Sequence, residues 1–142
     1  MSAVNLVAVF SENKPGQTAR VTKLLAQAGV NVRWVTIANS GGFGVMKFLV
    51  DQRDGAVRAL KEKGLMVSLL EVLVVEVPDK PGSLQAVADL LGRNNINLDN
   101  SSGFVSHNQA ILVLEVHELA QARSVLEQAG LRMLSQEEML RL

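Results

Sequence analysis

The chain has 142 residues, 48% of them hydrophobic, with no cysteine and with 14 acidic and 14 basic side chains. No stretch approaches about 18 uninterrupted apolar residues, so no membrane span is expected. A net charge of zero argues against general affinity for nucleic acid or a membrane surface, and without cysteine there is neither a disulfide framework nor a thiolate metal site.

The N-terminal Met1-Ser2-Ala3 lacks the basic and apolar regions of a signal peptide, which makes a cytoplasmic address the expectation. Val4–Phe10 is rich in β-branched residues and reads as a strand. Glu12-Asn13-Lys14-Pro15-Gly16-Gln17 follows and opens a helix over Gln17–Ala28, where Val21, Leu24, Leu25 and Ala28 recur at helical spacing. Proline at a first helical position fixes φ and gives up only an N–H that has no partner there. The glycine beside it lacks a Cβ, so a ligand or another backbone can approach the helix N-terminus, whose N–H groups suit a carboxylate. A second strand is expected over Val30–Asn39, with Val30, Val32, Trp34, Thr36 and Ala38 on one face. Ser40-Gly41-Gly42 turns the chain into a third strand, Gly44–Val50. These glycines lie between two strands, whereas a phosphate cradle needs a helix directly after them. A second helix from Gly55 to Lys63, with Asp54 as N-cap and Gly64 just past its end, leads to a fourth strand, Leu65–Leu70.

The series then runs again, displaced by 66 positions. Val72–Val77 reads as a strand, Pro78-Asp79-Lys80-Pro81-Gly82-Ser83 answers the first turn, and Leu84, Val87, Ala88 and Leu91 form the helical stripe. A strand from Ile96 to about Phe104, the turn Ser106-His107-Asn108 and the strand Ala110–Val116 follow. The last of these is apolar on both faces and so is expected to be covered on both. Ala122, Val125, Leu126 and Ala129 make the second stripe, Gly130 ends it, and Leu131–Leu134 is the fourth strand. Identities include Val9/Val75, Lys14/Lys80, Pro15/Pro81, Gly16/Gly82, Leu25/Leu91, Asn31/Asn97, Leu60/Leu126 and Gly64/Gly130. The fold class is therefore α+β: two tandem ferredoxin-like βαββαβ units, residues 1–70 and 71–142, with antiparallel sheets, both helices on one face, and the units packed side by side. Ser135-Gln136-Glu137-Glu138 has the pattern of a capping box, so a short C-terminal helix should close the chain. Residues 1–70 carry nine Lys/Arg against four Asp/Glu and residues 71–142 five against ten. Such opposite charge either favours contact between the halves or a head-to-tail dimer, or is divergence without consequence.

No catalytic constellation is present in the sequence, so no catalytic residue, metal site or cofactor is expected. His107 sits in a turn and His117 at a strand end, neither with a partner at metal-ligand spacing. No serine lies in a nucleophile elbow. Trp34 and four phenylalanines are too few and scattered for a base-stacking surface. What remains is the Pro-Gly turn together with Gly29-Val30-Asn31 and Asn95-Ile96-Asn97. Strands one and two of this topology start and finish near the same edge, so Asn13 and Asn31, and likewise Asp79 and Asn97, are expected to converge on a polar site. An amide offers donor and acceptor to a zwitterion. The plainer alternative makes Asn13 a turn residue and Asn31 the cap of a bend.

The phrase "ENKPG" with "LLAQAGVNV" and the second copy "PDKPGSLQAVADLLGRNNINL" resemble the ACT domain, the small-molecule-sensing module of amino-acid metabolism. The resemblance covers nearly the whole chain except the terminal helix. It implies a pair of modules forming one eight-stranded sheet, with amino acids bound between them. In serine-sensing members the loop asparagine before Pro-Gly and the asparagine opening strand two bind ligand, positions matched by Asn13 and Asn31. Asp79 and Asn95 depart from that pattern in the second copy. A ligand contacted by Asn13, Lys14, Pro15, Gly16 and Gln17, by Asp79, Pro81, Gly82 and Ser83, and by Asn31 and Asn97 is the resulting expectation. The function it implies is a non-catalytic, amino-acid-binding regulatory protein, a homodimer with a small-molecule ligand and a possible partner enzyme. The alternatives are a regulatory subunit docked permanently on an enzyme of amino-acid or aromatic-acid metabolism, through a face such as Val35 and Ile37, and an enzyme with a ferredoxin-like active site.

Overall fold

In the computed structural model the described residues are 3–142. The elements follow in the order β1 (Val4–Glu12), α1 (Gln17–Gln27), β2 (Val32–Ser40), β3 (Phe43–Val50), α2 (Arg53–Glu62), β4 (Met66–Pro78), α3 (Ser83–Arg93), β5 (Leu98–Ser106), β6 (Gln109–Val116), α4 (Leu119–Gln128), β7 (Arg132–Met133) and α5 (Gln136–Leu140). The chain divides into two compact units, one of Asn5–Leu70 and one of Glu71–Leu142 with Ala3 and Val4. Each is a βαββαβ arrangement with an antiparallel sheet. The fourth strand of the first and the first strand of the second are read off a single 13-residue strand, β4.

Alternation decides which face each sheet buries. In the first unit Val7 and Val9 of β1 and Met46, Phe48 and Val50 of β3 cluster with Val21 and Leu25 of α1 and Ala56 and Leu60 of α2. Residues two apart on a strand share a face, so both helices lie on the same side of the sheet. The second unit repeats this with Leu73, Val75, Leu112 and Leu114 against Val87, Leu91, Ala122 and Leu126. Ile111 and Val113, which point to the other face of β6, are buried as well, as the two-sided apolar pattern predicts.

Three local expectations are corrected. Asp54 is not the N-cap of α2: the helix begins at Arg53 with Gln52 as its cap, and Asp54 sits inside the first turn, where its charge still meets the positive helix end. Val32 and Trp34 do not share a face. A β-bulge at Arg33 shifts the register, so Val32 pairs with Val50 on the helix side while Trp34 pairs with Leu49 on the other. Pro15 is not the first helical residue, since α1 starts at Gln17 with Gly16 as its N-cap.

The terminal capping box forms as the sequence predicts. Ser135 Oγ accepts from the Glu138 N–H at 3.2 Å and Glu138 Oε1 accepts from the Ser135 N–H at 3.0 Å. Arg132 then joins α5 to the sheet, donating from Nη1 to Glu76 Oε2 at 2.9 Å and from Nη2 to Glu138 Oε2. The Ser135 N–H, and after it the Arg132 guanidinium, hold the Glu138 carboxyl below its ordinary range, while the bond to Glu138 raises Arg132. A carboxyl lowered on folding contributes stability above its unfolded value and loses it as pH falls through the folded one. The protection factors of the α5 amides, exchange rates corrected for the intrinsic rate at each pH, should therefore hold at neutral pH and fall below about pH 4. Glu138→Gln, which keeps the cap but not the charge, should show faster exchange at neutral pH and a flatter acid response.

Candidate functional site

The repeated phrase is a type II turn. In Lys14-Pro15-Gly16-Gln17 the Gln17 N–H reaches the Lys14 carbonyl at 3.3 Å, and Gly16 has φ 92° and ψ −12°. In Lys80-Pro81-Gly82-Ser83 the Ser83 N–H reaches the Lys80 carbonyl at 3.3 Å, and Gly82 has φ 91° and ψ −11°. Proline presets the first central position of such a turn and the second needs positive φ, which selects glycine. A Cβ added to either glycine meets nothing within 4 Å. Backbone conformation, not a close approach, is what requires glycine here.

The turn has a chemical consequence. Glycine has no side chain with which to cap the helix it precedes, and neither α1 nor α3 receives a side-chain cap or an acidic residue in its first turn. The first N–H of each helix closes the turn and the fourth bonds the glycine carbonyl, so the two between them, of Thr18 and Ala19 or Leu84 and Gln85, present the positive helix end. Both ends can receive a carboxylate.

The predicted convergence of the asparagines does not occur within a unit. Asn13 lies beside the β2–β3 hairpin, its N–H on the Gly42 carbonyl at 2.8 Å and its side-chain amide on the Gly41 carbonyl at 3.2 Å. Asn31 lies at the far end of β3, its N–H on Asp51 Oδ1 at 2.9 Å and its carbonyl receiving the Asp51 N–H at 3.2 Å. The eight residues of β3 separate them, on the order of 25 Å at about 3.3 Å per residue. The physical reason is topological: β1 and β2 both pair antiparallel with β3 and so run parallel, and the end of one cannot meet the start of the other. Asp79 and Asn97 are separated by β6 in the same way, and Asn97 donates to Asp99 Oδ1 at 2.9 Å. Asn95, in the place of Gly29, takes φ 58° where the helix stops, a conformation asparagine tolerates. His107 has φ 53° in the β5–β6 hairpin and shares a 3.0 Å hydrogen bond with Ser106, a turn role.

What the structure does bring together is a cavity of about 490 Å³ in the second unit, at the start of α3. The turn residues Lys80, Pro81, Gly82 and Ser83 form one end of it. Val77, Val87, Leu90 and Leu131 supply apolar wall, and Arg93 closes the opposite end. Lys80 belongs to the turn expected at the ligand, whereas Arg93 is not among the residues expected there. Comparing the two copies position by position would have found Arg93, since Gln27 stands in its place in the first. Lys14, equivalent to Lys80, is exposed and 3.9 Å from Glu12.

The sequence family described as the ACT domain pair matches residues 2–142. No curated protein matches the chain. Among solved structures, protein BT0572 from Bacteroides thetaiotaomicron is 26% identical, with a TM-score of 0.90 over 99% of this chain and 97% of that one. The ligand-free regulatory subunit of aspartate kinase from Thermus thermophilus is 18% identical, with a TM-score of 0.60 over 89% of this chain and 92% of its own, and shares the fold. The corresponding subunit from Thermus flavus has a TM-score of 0.57 at 17% identity, covering 91% of this chain and 94% of its own.

Since positive φ and not space selects Gly82, substitution there should act through strain. Gly82→Ala should cost about 1–2 kcal/mol in chemical denaturation, and Gly82→Val more, because a β-branched residue is disfavoured further at positive φ. Equal stabilities for wild type and both variants would remove the strain argument.

Proposed function

The chain belongs to the ACT domain pair family, and from that premise we propose that it is a non-catalytic regulatory protein that binds a small carboxylate metabolite, an amino acid or a close relative. The observation that carries the reading is the pair of uncapped helix N-termini behind matching type II turns. Lys14–Gln17 and Lys80–Ser83 are the proposed ligand-contacting segments. The regulatory subunit from Thermus thermophilus has the same fold, which supports a role exerted on a partner enzyme.

Regulation needs only that the ligand bind one state of the protein better than another, because the difference in affinity is the most by which it can shift the equilibrium. A ligand that binds the folded form alone stabilises it by about 2.7 kcal/mol at a hundredfold excess over its dissociation constant. That amounts to several degrees of melting temperature for a chain of this length. Assembly belongs to the same proposal. Edge strand β2 presents Val35 and Ile37 at 45% and 44% exposure, and small modules gain from burying such residues against a second copy.

A thermal-shift screen with the common amino acids and their 2-oxo acids, followed by calorimetry on the hits, tests the reading. At least one acid should raise the melting temperature by several degrees and bind saturably. A complete panel without a shift or a heat of binding would overturn the proposal. In sedimentation at micromolar concentration the chain should run as a dimer, and a clean 15.3 kDa species would remove the assembly claim.

A further inference from the structure

The two copies differ in what covers the face of the sheet turned away from the helices. In the second unit β7 is followed by α5, and Glu138 and Arg141 enclose a cavity together with Glu76, Ile111 and Arg132 of the sheet. Leu134, just before the cap Ser135, and Met139, at the fourth position of the helix, are both buried. Those are the two positions of a hydrophobic staple. The first unit has no such helix, because its fourth strand runs on within β4. The counterparts of Glu76, Gln109 and Arg132 there are Phe10, Phe43 and Met66, which are 44%, 69% and 70% exposed. Val9, Met46 and Val67 pack on the helix side, so their neighbours Phe10, Val45 and Met66 point to the other, and Phe43, two places from Val45, points with them. Phe10 pairs with Val45, and the pairing of Glu76 with Arg132 in the second copy sets the matching Met66 beside Phe10. Covered, this end of the sheet carries an ion pair; open, it carries two phenylalanines and a methionine.

We propose that this open end of the first unit's sheet is a docking surface for a short amphipathic helix of another protein, seated as α5 is on the second unit, with apolar residues just before its N-cap and at its fourth position. Two sheets of one fold present the same face, and the second shows what fits it. Single exposed apolar side chains are ordinary, whereas a contiguous group of large ones marks a contact surface. At these exposures the three offer on the order of 350 Å² of apolar surface, the size of the largest patch on a typical monomer. Two copies meeting patch to patch would bury about 700 Å² in all, short of the roughly 1,200 Å² of a stable interface, so a second copy is the poorer occupant. The chain's own α5 is not available either, since Arg132 and the capping box hold it to the second unit. A capped helical turn is small enough to be seated on such a patch, and methionine adapts to its anchors. The surface stands on packing alone and goes beyond the carboxylate reading.

Heteronuclear NMR on the full chain tests it, with a synthetic peptide of residues 131–142, the segment that covers the matching face of the second unit, as the probe. The peptide should bind saturably at millimolar concentration or below and shift the signals of Phe10, Phe43 and Met66. Phe43→Ser and Met66→Ser, both at mostly exposed positions, should each leave the unfolding midpoint unchanged and weaken the peptide about tenfold or more. A peptide carrying Leu134→Ser and Met139→Ser should not bind. No shift at millimolar peptide would overturn the proposal. So would shifts at Ile111 and Leu134 in place of Phe43, since the peptide would then have displaced the chain's own helix. Self-association in sedimentation that both serine variants dissolve would assign the patch to a second copy and overturn the helix as its occupant. None of these results touches the ligand screen, which decides the regulatory reading separately.

Discussion

The positive φ at the second central position of two turns is the constraint on which each unit depends. Gly16 and Gly82 sit near φ 90°, where an L side chain is strained, and from there the chain enters a helix that returns over the sheet. Without that turn the apolar stripes of Val21 and Leu25, or Val87 and Leu91, would not face Val9 and Phe48, or Val75 and Leu114. The same glycine denies the helix a capping side chain, so one backbone requirement both orients the core and leaves a row of N–H groups open to solvent. Fold and site chemistry have a common origin at this point.

The far ends of α2 and α4 and both ends of the chain's last helix are closed by local means, although the N-termini of α2 and α4 also lack a side-chain cap. Gly64 and Gly130, both at φ 78°, end α2 and α4 and let the Leu65 and Leu131 N–H groups fold back on Leu60 and Leu126. Helix α5, only five residues long, is held by reciprocal capping and by Arg132 lying between Glu76 and Glu138. A helix so short has little stability of its own. Ion pairs exposed to solvent are individually weak. Three groups in one network with a capping box are a more plausible restraint than any single pair, and they tie the end of the chain to β4.

Much of this was legible in the sequence because it is periodic. The 66-residue offset, the helical stripes and the capping box all rest on residue types recurring at fixed spacing. The capping box and the pairs Val21/Leu25 and Val87/Leu91 are found where the spacing places them, whereas Ala28, Leu84 and Ala88, expected on the stripes, are exposed, and Leu90 packs on the core instead. The errors arose where one residue breaks the period. A bulge at Arg33 leaves no mark in composition, yet it sends Val32 and Trp34 to opposite faces. Pro15 suits both the first position of a helix and the centre of a type II turn, and only the φ of its neighbour separates the two. The expected meeting of Asn13 with Asn31 failed for a different reason. Spacing along the chain does not reveal which end of a strand a residue occupies until the partners of β3 are known. The cavity at the start of α3 escaped notice because it depends on small residues: nothing about Ala86 or Ala129, which line it, draws attention until their counterparts Arg20 and Lys63 are set beside them.

Electrostatics in the second unit then present an apparent conflict that distance resolves. Residues 71–142 carry ten acidic side chains and five basic ones, a balance that should repel an anion. Of the five, Arg132 is engaged by two glutamates and Arg93 by Asp89 through one nitrogen. Charges more than about 8 Å away are largely screened at physiological ionic strength, whereas a carboxylate in contact with a helix N-terminus is screened far less. The acidic balance therefore acts mainly on the approach of an anion, and the helix N-terminus with Lys80 beside it on its residence. Added salt weakens the long-range repulsion and the contact attraction together, so the salt dependence of binding should be shallow for a site built on charge.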